Sequence, residues 1–194
     1  MRRMCFDLES NYFQIPYRNG GPSIRDPAEH RAAICTSAED HSLVFQCGVV
    51  YDESENTYNR FWKEKIEDMV ALLSRADGLI SHSGRRHDIP ILECLTGVIN
   101  LRKIPHWDLL DCVDWAPLDD MEKYIPGKGK EFNADYVARL SEIDREFPGD
   151  RYVKRNKAER LMAKAYHDVE RTYAIWKFKM SSGKPPKPTQ SDLG

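Results

Sequence analysis

The chain has 194 residues but no long apolar run. No stretch approaches the ~18 consecutive apolar residues that a membrane-spanning helix requires. Met1-Arg2-Arg3 leads directly into a segment with two acids, which is not the form of a signal peptide. The five cysteines are odd in number, lie far apart and include no C-x-x-C pair, which argues against a zinc knuckle or a paired redox motif. We therefore expect a soluble, intracellular protein without membrane contact, whose cysteines are reduced and mostly buried.

Charge is unevenly distributed along the chain, although the net charge is only −2. Residues 151–187 contain 11 Lys and Arg against 3 Asp and Glu, a balance of +8. Residues 1–150 contain 18 Lys and Arg against 27 Asp and Glu, a balance of −9. A basic segment on an acidic body is typical of proteins with a polyanionic partner, although a solvated basic helix with a basic tail gives the same pattern.

Length and composition predict one globular domain. A hydrophobic content of 41% over this length is enough for a sizeable core. We expect the domain to span residues 1–180 and to be followed by a flexible, basic and proline-rich tail over 181–194. A polar segment at 11–27, which contains glycine and proline, predicts an irregular connection.

Apolar periodicity predicts that helices and strands are mixed along the chain. A first strand over 4–10 is followed by three β-like runs, at 31–37, 42–51 and 58–63, which fit antiparallel strands with short turns. Short strands then alternate with helices, so we expect parallel strands with helical crossovers to complete a mixed sheet. The remaining predicted strands lie at 78–82 and 106–113, and the predicted helices at 65–75, 89–101, 134–145 and 157–179.

Two acids lie one residue apart in the predicted first strand, at Asp7 and Glu9. Because side chains alternate along a strand, both carboxylates point to one face while Phe6 and Leu8 point to the other. Two carboxylates on one face can hold a hard divalent cation. On its own, an acid-x-acid pattern is also typical of the solvent-exposed face of an edge strand. The interpretation as a metal site therefore depends on the other acids.

Two further acids stand out by their surroundings. Asp88 lies at the junction of a buried strand and a helix, where it could bind a metal or simply cap the helix. In the last predicted helix, Asp168 lies on an apolar stripe formed by Leu161, Ala165, Val169, Thr172 and Trp176. An acid on an inward-facing stripe is costly unless it is paired or bound to a metal. Glu170 faces elsewhere and is more simply explained as solvated.

In order and spacing, these acids resemble the motifs of the DEDD-type 3'-5' exonucleases of the ribonuclease H-like (DnaQ-like) superfamily. The similar segments are Phe6-Asp7-Leu8-Glu9-Ser10, Asp88-Ile89-Pro90-Ile91-Leu92 and Asp168-Val169-Glu170-Arg171-Thr172. The segment 106–110 is similar to the strand that this family places between its second and third motifs. The resemblance covers residues 4 to about 178. It implies an α/β, ribonuclease H-like fold with a mixed sheet of five to six strands flanked by helices.

The resemblance implies hydrolysis of phosphodiester bonds from the 3' end of single-stranded DNA or RNA. The cofactors would be two Mg2+ or Mn2+ ions, which serve the attacking and leaving oxygens of an in-line displacement. In the family's assignment Asp7 bridges both ions, Glu9 and Asp168 hold the ion that activates the water, and Asp88 holds the second ion largely through water. A proofreading role would require a polymerase or another replication or repair protein as a partner.

The sequence departs from the family at the residue that orients or deprotonates the water. The family carries a tyrosine four residues, or a histidine five residues, before the third-motif aspartate. Here those positions are Lys164 and Ala163. Tyr166 and His167 are nearby, but a helix turns by ~100° per residue, so neither takes the missing direction without a bulge or a register change.

Three alternatives are open for this role. A kink could bring Tyr166 or His167 to the water, or His82 or His87 could supply the base. The chain could also be a weak or inactive, nucleic-acid-binding module of the same fold. A metal-dependent endonuclease would use similar carboxylates and is a further alternative.

The identity of the third-motif acid is also open. Glu170 as the ligand would restore a tyrosine four residues upstream, at Tyr166. We prefer Asp168, because Val169 and Thr172 then match the family's pattern.

Overall fold

The computed structural model describes residues 1–11, 27–112 and 155–181, together with Pro188. The predicted helix at 134–145 and nearly all of the predicted tail lie outside these residues. The strands are β1 (Arg3–Ser10), β2 (Phe45–Asp52), β3 (Thr57–Trp62), β4 (Gly78–Ser81) and β5 (His106–Asp108). The helices are α1 (Pro27–Glu39), α2 (Ile66–Leu73), α3 (Asp88–Thr96), α4 (Leu109–Cys112) and α5 (Arg155–Ser181), with short 3-10 turns at Lys63–Lys65 and Leu101–Lys103.

The strands form one five-stranded sheet in the order β3-β2-β1-β4-β5, with β1 at its centre. The first three strands in the chain pair antiparallel, and Asp7 lies opposite Val49 of β2. β1 and β4 pair in parallel, as do β4 and β5, with Ile80 opposite both Cys5 and Trp107. The expected fold class is thereby confirmed, because the mixed sheet flanked by helices is consistent with a ribonuclease H-like fold.

Each face of the sheet has its own hydrophobic core. Phe6 and Leu8 belong to the first core, which includes Ile34 of α1, Leu73 of α2 and Ile91 of α3. The second core lies beneath α5 and includes Cys5, Val49, Ile80, Val169 and Trp176. Because side chains alternate along β1, Asp7 and Glu9 share the face of Cys5 and therefore point towards α5.

The β-like run at 31–37 is a helix, so this part of the sequence-based prediction is wrong. Helical winding buries Ile34 completely in the core beside α2 and α3. It also brings the Arg31 guanidinium to within 3.0 Å of the buried Glu93 carboxylate of α3. The alanine-rich composition of 28–38 favours a helix intrinsically, and these contacts with α3 reinforce that preference.

The ends of two other elements differ from the prediction. The strand expected over 106–113 ends at Asp108, and the chain continues as α4. The helix expected over 89–101 ends at Thr96, because Gly97 adopts a left-handed conformation with φ of 74° and its N–H donates to the Glu93 carbonyl.

The expectation of reduced cysteines is wrong for one pair. Cys35 of α1 and Cys94 of α3 form a disulfide across a sequence separation of 59 residues. Their spacing gives no local signal, since the fold alone brings the two helices together. Cys5 and Cys47 are free and buried, as expected.

Within the described ranges, no helix is both long enough and apolar enough to cross a membrane.

Candidate metal centre

Three of the four predicted acids converge where α5 packs on β1. One oxygen each of Asp7, Glu9 and Asp168 lies within 4.8 Å of the other two. The Cys5 thiol donates to the Val169 carbonyl at 3.6 Å, which fixes α5 against β1 directly beside this group. Adjacent carboxylate oxygens are the ligands that Mg2+ and Mn2+ prefer. This arrangement can hold a metal ion.

Asp88 approaches these acids from the start of α3, after the strand β4 that pairs in parallel with β1. It begins α3 immediately after the turn that follows β4, and only 4% of its surface is exposed. The N-cap residue of α3 is His87, which makes no side-chain capping bond, and Asp88 is the first residue of the helix. A Cβ at Gly84 would lie 3.2 Å from Asp88 Oδ2, so the turn passes close to the carboxylate.

The turn between β4 and α3 is held by Asp108 of β5. Asp108 is fully buried, and its carboxylate accepts hydrogen bonds from the backbone N–H groups of Ser83 at 2.7 Å and Arg85 at 2.9 Å. Ser83 lies in the left-handed region with φ of 64°. Asp108 thus fixes an unusual backbone path that ends at Asp88.

The electrostatics of the group reflect crowded negative charge. Burial raises the pKa of Asp7 well above its ordinary value, and the charges of Asp168, Asp88 and Glu9 raise it further. Burial likewise raises the pKa of Asp88, with added contributions from Asp108, Glu9 and Asp168. The charges of these acids thus disfavour one another's ionised forms, and a bound cation would relieve that repulsion.

Two carboxylate oxygens in this group are buried without a hydrogen-bond partner among the described residues, namely Oδ2 of Asp7 and Oδ2 of Asp88. An unpaired buried carboxylate oxygen is costly, because it has lost its hydration without compensation. A divalent cation would supply that compensation. The residues present therefore fit a divalent metal ion on the chemistry of their donor atoms.

Lys164 already supplies one positive charge to the acids. Its ammonium forms an ion pair with Glu9 and lies 3.5 Å from Asp168, one helical turn further along α5. Burial alone lowers the pKa of Lys164, but the charges of Asp7 and Glu9 raise it above its ordinary value overall. Lys164 is therefore a cation beside three carboxylates.

The candidate bases occupy different positions. Tyr166 is buried and stacks on Tyr58 of β3, with ring centroids 4.4 Å apart. His167 is also buried. His87 contacts His30 of α1 at 3.3 Å between ring nitrogens. Burial lowers the pKa of His87 to about 4, with smaller contributions from the charges of His30 and Lys164.

His82 is half-buried at the end of β4. Glu170 is not one of the acids whose oxygens lie together. One of its carboxylate oxygens is buried, and its charge acts on Tyr58 of β3. Asp168, and not Glu170, is the acid of α5 that the fold places beside Asp7 and Glu9.

Two contributors to the site were missed from the sequence. In the sequence, Lys164 is noticeable only as the replacement of a tyrosine, although its spacing of four residues from Asp168 already places both side chains on one helix face. Asp108 is noticeable only as part of a predicted strand. Its role depends on the pairing of β4 with β5, in which Ser81 lies opposite Asp108, and no local signal reveals that pairing.

No known family model matches the chain, and no curated protein matches it. Among solved structures, the chain is similar to the family B DNA polymerase from the hyperthermophilic archaeon Pyrobaculum calidifontis, with a TM-score of 0.57 and 17% identity. The match covers 93% of this chain but only 24% of the polymerase chain. The chain thus spans about a quarter of that protein's length, and at this identity the likeness shows the fold alone.

Proposed function

We propose that this chain is a divalent-metal-dependent 3'-5' exonuclease acting on single-stranded DNA or RNA. The observation that carries the proposal is the clustering of Asp7, Glu9 and Asp168, joined electrostatically by the buried Asp88. These are the acids that the exonuclease motifs pick out in the sequence, and they come from three separate elements of the fold. A set of carboxylates without metal chemistry would have little reason to converge at such an electrostatic cost.

The proposed metal ligands are Asp7, Glu9, Asp88 and Asp168, with Mg2+ or Mn2+ as the ion. When bound, such ions supply a nucleophile at neutral pH and neutralise the charge that develops on the leaving oxygen. The chain's own residues hold the acids in place: Asp108 fixes the turn before Asp88, and the Cys5 contact with Val169 fixes α5 on β1. The related family uses two ions.

A nucleic-acid substrate is supported by three independent features. The fold neighbour is a DNA polymerase. The basic balance of residues 151–187 suits a phosphate backbone. Arg85 and Arg86 lie on the turn that leads to Asp88, where both pair with Asp111, so a phosphate group could compete for them. A polymerase or another replication or repair protein is proposed as the partner in any proofreading role.

The test is a cleavage assay on 5'-labelled single strands of DNA and RNA, with Mg2+ or Mn2+. We expect a ladder that shortens from the 3' end. Asp7→Asn should lower the rate by about two orders of magnitude or more, because it removes a charge from the acid group. The matched control is Asp68→Asn, which makes the same change at an exposed acid of α2 that pairs only with Lys65 among the described residues.

Other results of this cleavage assay would indicate other functions. Internal fragments would indicate an endonuclease. A specific observation favours the second candidate, a binding module with weak or absent catalysis: Lys164 stands where the related enzymes carry a tyrosine, and Tyr166 is stacked on Tyr58. Binding of the strand without cleavage would support that module. Equal rates for Asp7→Asn and the unsubstituted chain would contradict the proposed metal site.

A further inference from the structure

The four acids of the candidate site fall into two electrostatically different pairs. Glu9 and Asp168 already have cationic partners: Lys164 contacts both, and Arg171 lies 3.5 Å from the other oxygen of Asp168. Asp7 and Asp88 each keep a buried oxygen with no hydrogen-bond partner among the described residues. The unmet demand for positive charge is therefore concentrated on Asp7 and Asp88.

We infer that Lys164 takes the place of one of the two metal ions, so that this chain binds a single divalent cation through Asp7 and Asp88. This inference rests on the proposed function, because it concerns the same acids. It assigns the Glu9 and Asp168 side of the site to an ammonium group that is part of the chain. Lys164 is thus a positioning and charge-supplying residue.

The physical basis is repulsion between like charges. Lys164 Nζ lies 3.5 Å from Asp168, and Asp7 lies within 4.8 Å of the same group of acids. A second divalent ion held by Glu9 and Asp168 would be within a few ångströms of the ammonium and would be repelled by it. It would have to displace a paired lysine before gaining its ligands.

Lys164 reaches Glu9 and Asp168 from the surface of the protein. Its side chain is 56% exposed, so its stem can lie along the surface while the ammonium points to Glu9. The charge of Lys164 also acts on Asp7 and Asp88, but neither forms an ion pair among the described residues, and each has a buried oxygen without a hydrogen-bond partner there. One ion can bind there and leave the contacts of Lys164 intact.

The test measures metal binding directly, without nucleic acid and independently of activity. The full chain is titrated with Mn2+ alone by calorimetry, and the loaded protein is examined by electron paramagnetic resonance, which distinguishes isolated from paired Mn2+ ions. We expect one isolated ion per chain. Lys164→Met should bind two ions with a paired spectrum, and its first ion should bind about tenfold more tightly because a competing charge is gone.

Two further variants serve as controls. Lys164→Arg keeps the charge and should still bind one ion. Lys65→Met removes an exposed, ion-paired lysine elsewhere and should leave both the stoichiometry and the affinity unchanged. Circular dichroism of each variant checks the fold, and the unsubstituted chain alone decides the count if Lys164→Met does not fold.

The outcomes separate this inference from the proposed function. Two ions per unsubstituted chain, with Asp7→Asn losing them, would overturn the role of Lys164 and leave the metal-dependent nuclease standing. A single ion in both the unsubstituted chain and Lys164→Met would also overturn it. No binding in the unsubstituted chain, or binding that Asp7→Asn leaves unchanged, would overturn both proposals.

Discussion

Gly84 sets the approach of the turn between β4 and α3 to the carboxylate of Asp88. A Cβ at this position would lie 2.5 Å from Ser81 Oγ and 3.2 Å from Asp88 Oδ2. We predict that Gly84→Ala displaces Asp88 and weakens Mn2+ binding by about 10- to 100-fold, as changes beside metal ligands commonly do. Calorimetric titration with Mn2+ measures this effect.

Gly97→Ala provides the matched control. Gly97 has φ of 74°, and a Cβ there would meet nothing within 4 Å. The substitution should lower the free energy of unfolding by about 1 kcal/mol through backbone strain, and it should leave Mn2+ affinity unchanged. Equal losses of Mn2+ affinity in both variants would show that general destabilisation, and not the position of Asp88, causes the effect.

His106 makes the stability of the fold depend on pH. Gly84 N–H donates to Ser81 Oγ at 3.1 Å, so the Ser81 hydroxyl can donate to His106 Nε2 at 2.7 Å. Because His106 Nε2 accepts this hydrogen bond, it carries no proton, and the His106 ring is neutral. Burial lowers the pKa of His106 to about 3, and the charge of Arg85 contributes to the shift.

The sign of the pH effect follows from this lowered pKa. Between pH 6.5 and about 3, His106 binds a proton in the unfolded chain but not in the folded chain. The free energy of unfolding therefore falls as the pH falls. We predict that His106→Gln flattens this dependence by up to ~1.4 kcal/mol per pH unit. Urea unfolding of both proteins from pH 7 to 4 measures the difference, and the comparison cancels other groups such as Asp108. Parallel profiles would contradict the prediction.

Single residues of the site were predictable only where a regular element places them. Alternation along β1 was enough to put Asp7 and Glu9 on one face, and helix periodicity put Asp168 on the buried stripe of α5. The ion pair between Lys164 and Glu9 could not be predicted in this way, because the two residues lie 155 positions apart in the sequence. Contacts made by long side chains across the fold depend on packing that no local pattern contains.

At the scale of elements, α1 and α3 form a unit that borders the site. The disulfide between Cys35 and Cys94 and the ion pair between Arg31 and Glu93 connect the two helices. α3 also begins with Asp88, so its position affects the site directly. The β-like prediction for 31–37 is wrong because the alanines of this segment favour a helix, and the contacts that reinforce the helix come from α3, some 60 residues later.

We predict that reduction of the disulfide destabilises the protein. A link across 59 residues restricts the unfolded chain, which corresponds to at most about 4 kcal/mol in the chain-entropy model. The melting temperature should therefore fall when dithiothreitol is added. The double variant Cys35→Ser, Cys94→Ser should melt at the lower temperature with or without the reductant.

A thiol count provides the decisive check on this link. The denatured, unreduced chain should show two fewer reactive thiols than the reduced chain. Equal counts, together with a melting temperature that dithiothreitol leaves unchanged, would show that Cys35 and Cys94 are not bonded in solution.

At the scale of the whole molecule, the basic helix α5 and the acids of the site lie on the same face of the sheet. α5 belongs to the basic segment 151–187 and packs on the face that carries the acids, whereas α2 packs on the opposite face. Arg160 and Lys164 are both exposed and lie one turn apart on α5, so positive charge leads along this helix to Glu9 and Asp168. A nucleic-acid strand that contacts Arg160 would therefore lie beside the acids of the proposed site.

This geometry predicts how salt affects binding. Neutralised phosphates release counterions, so the logarithm of the binding constant for a single strand falls with the logarithm of salt by about 0.7 per contact. Arg160→Ala should therefore reduce the slope by ~0.7, whereas Arg75→Ala, which removes an exposed arginine just after α2, should not change it. Fluorescence anisotropy of a labelled strand in EDTA, which prevents cleavage, measures both slopes. Equal slopes for the two variants would place the path of the strand away from α5.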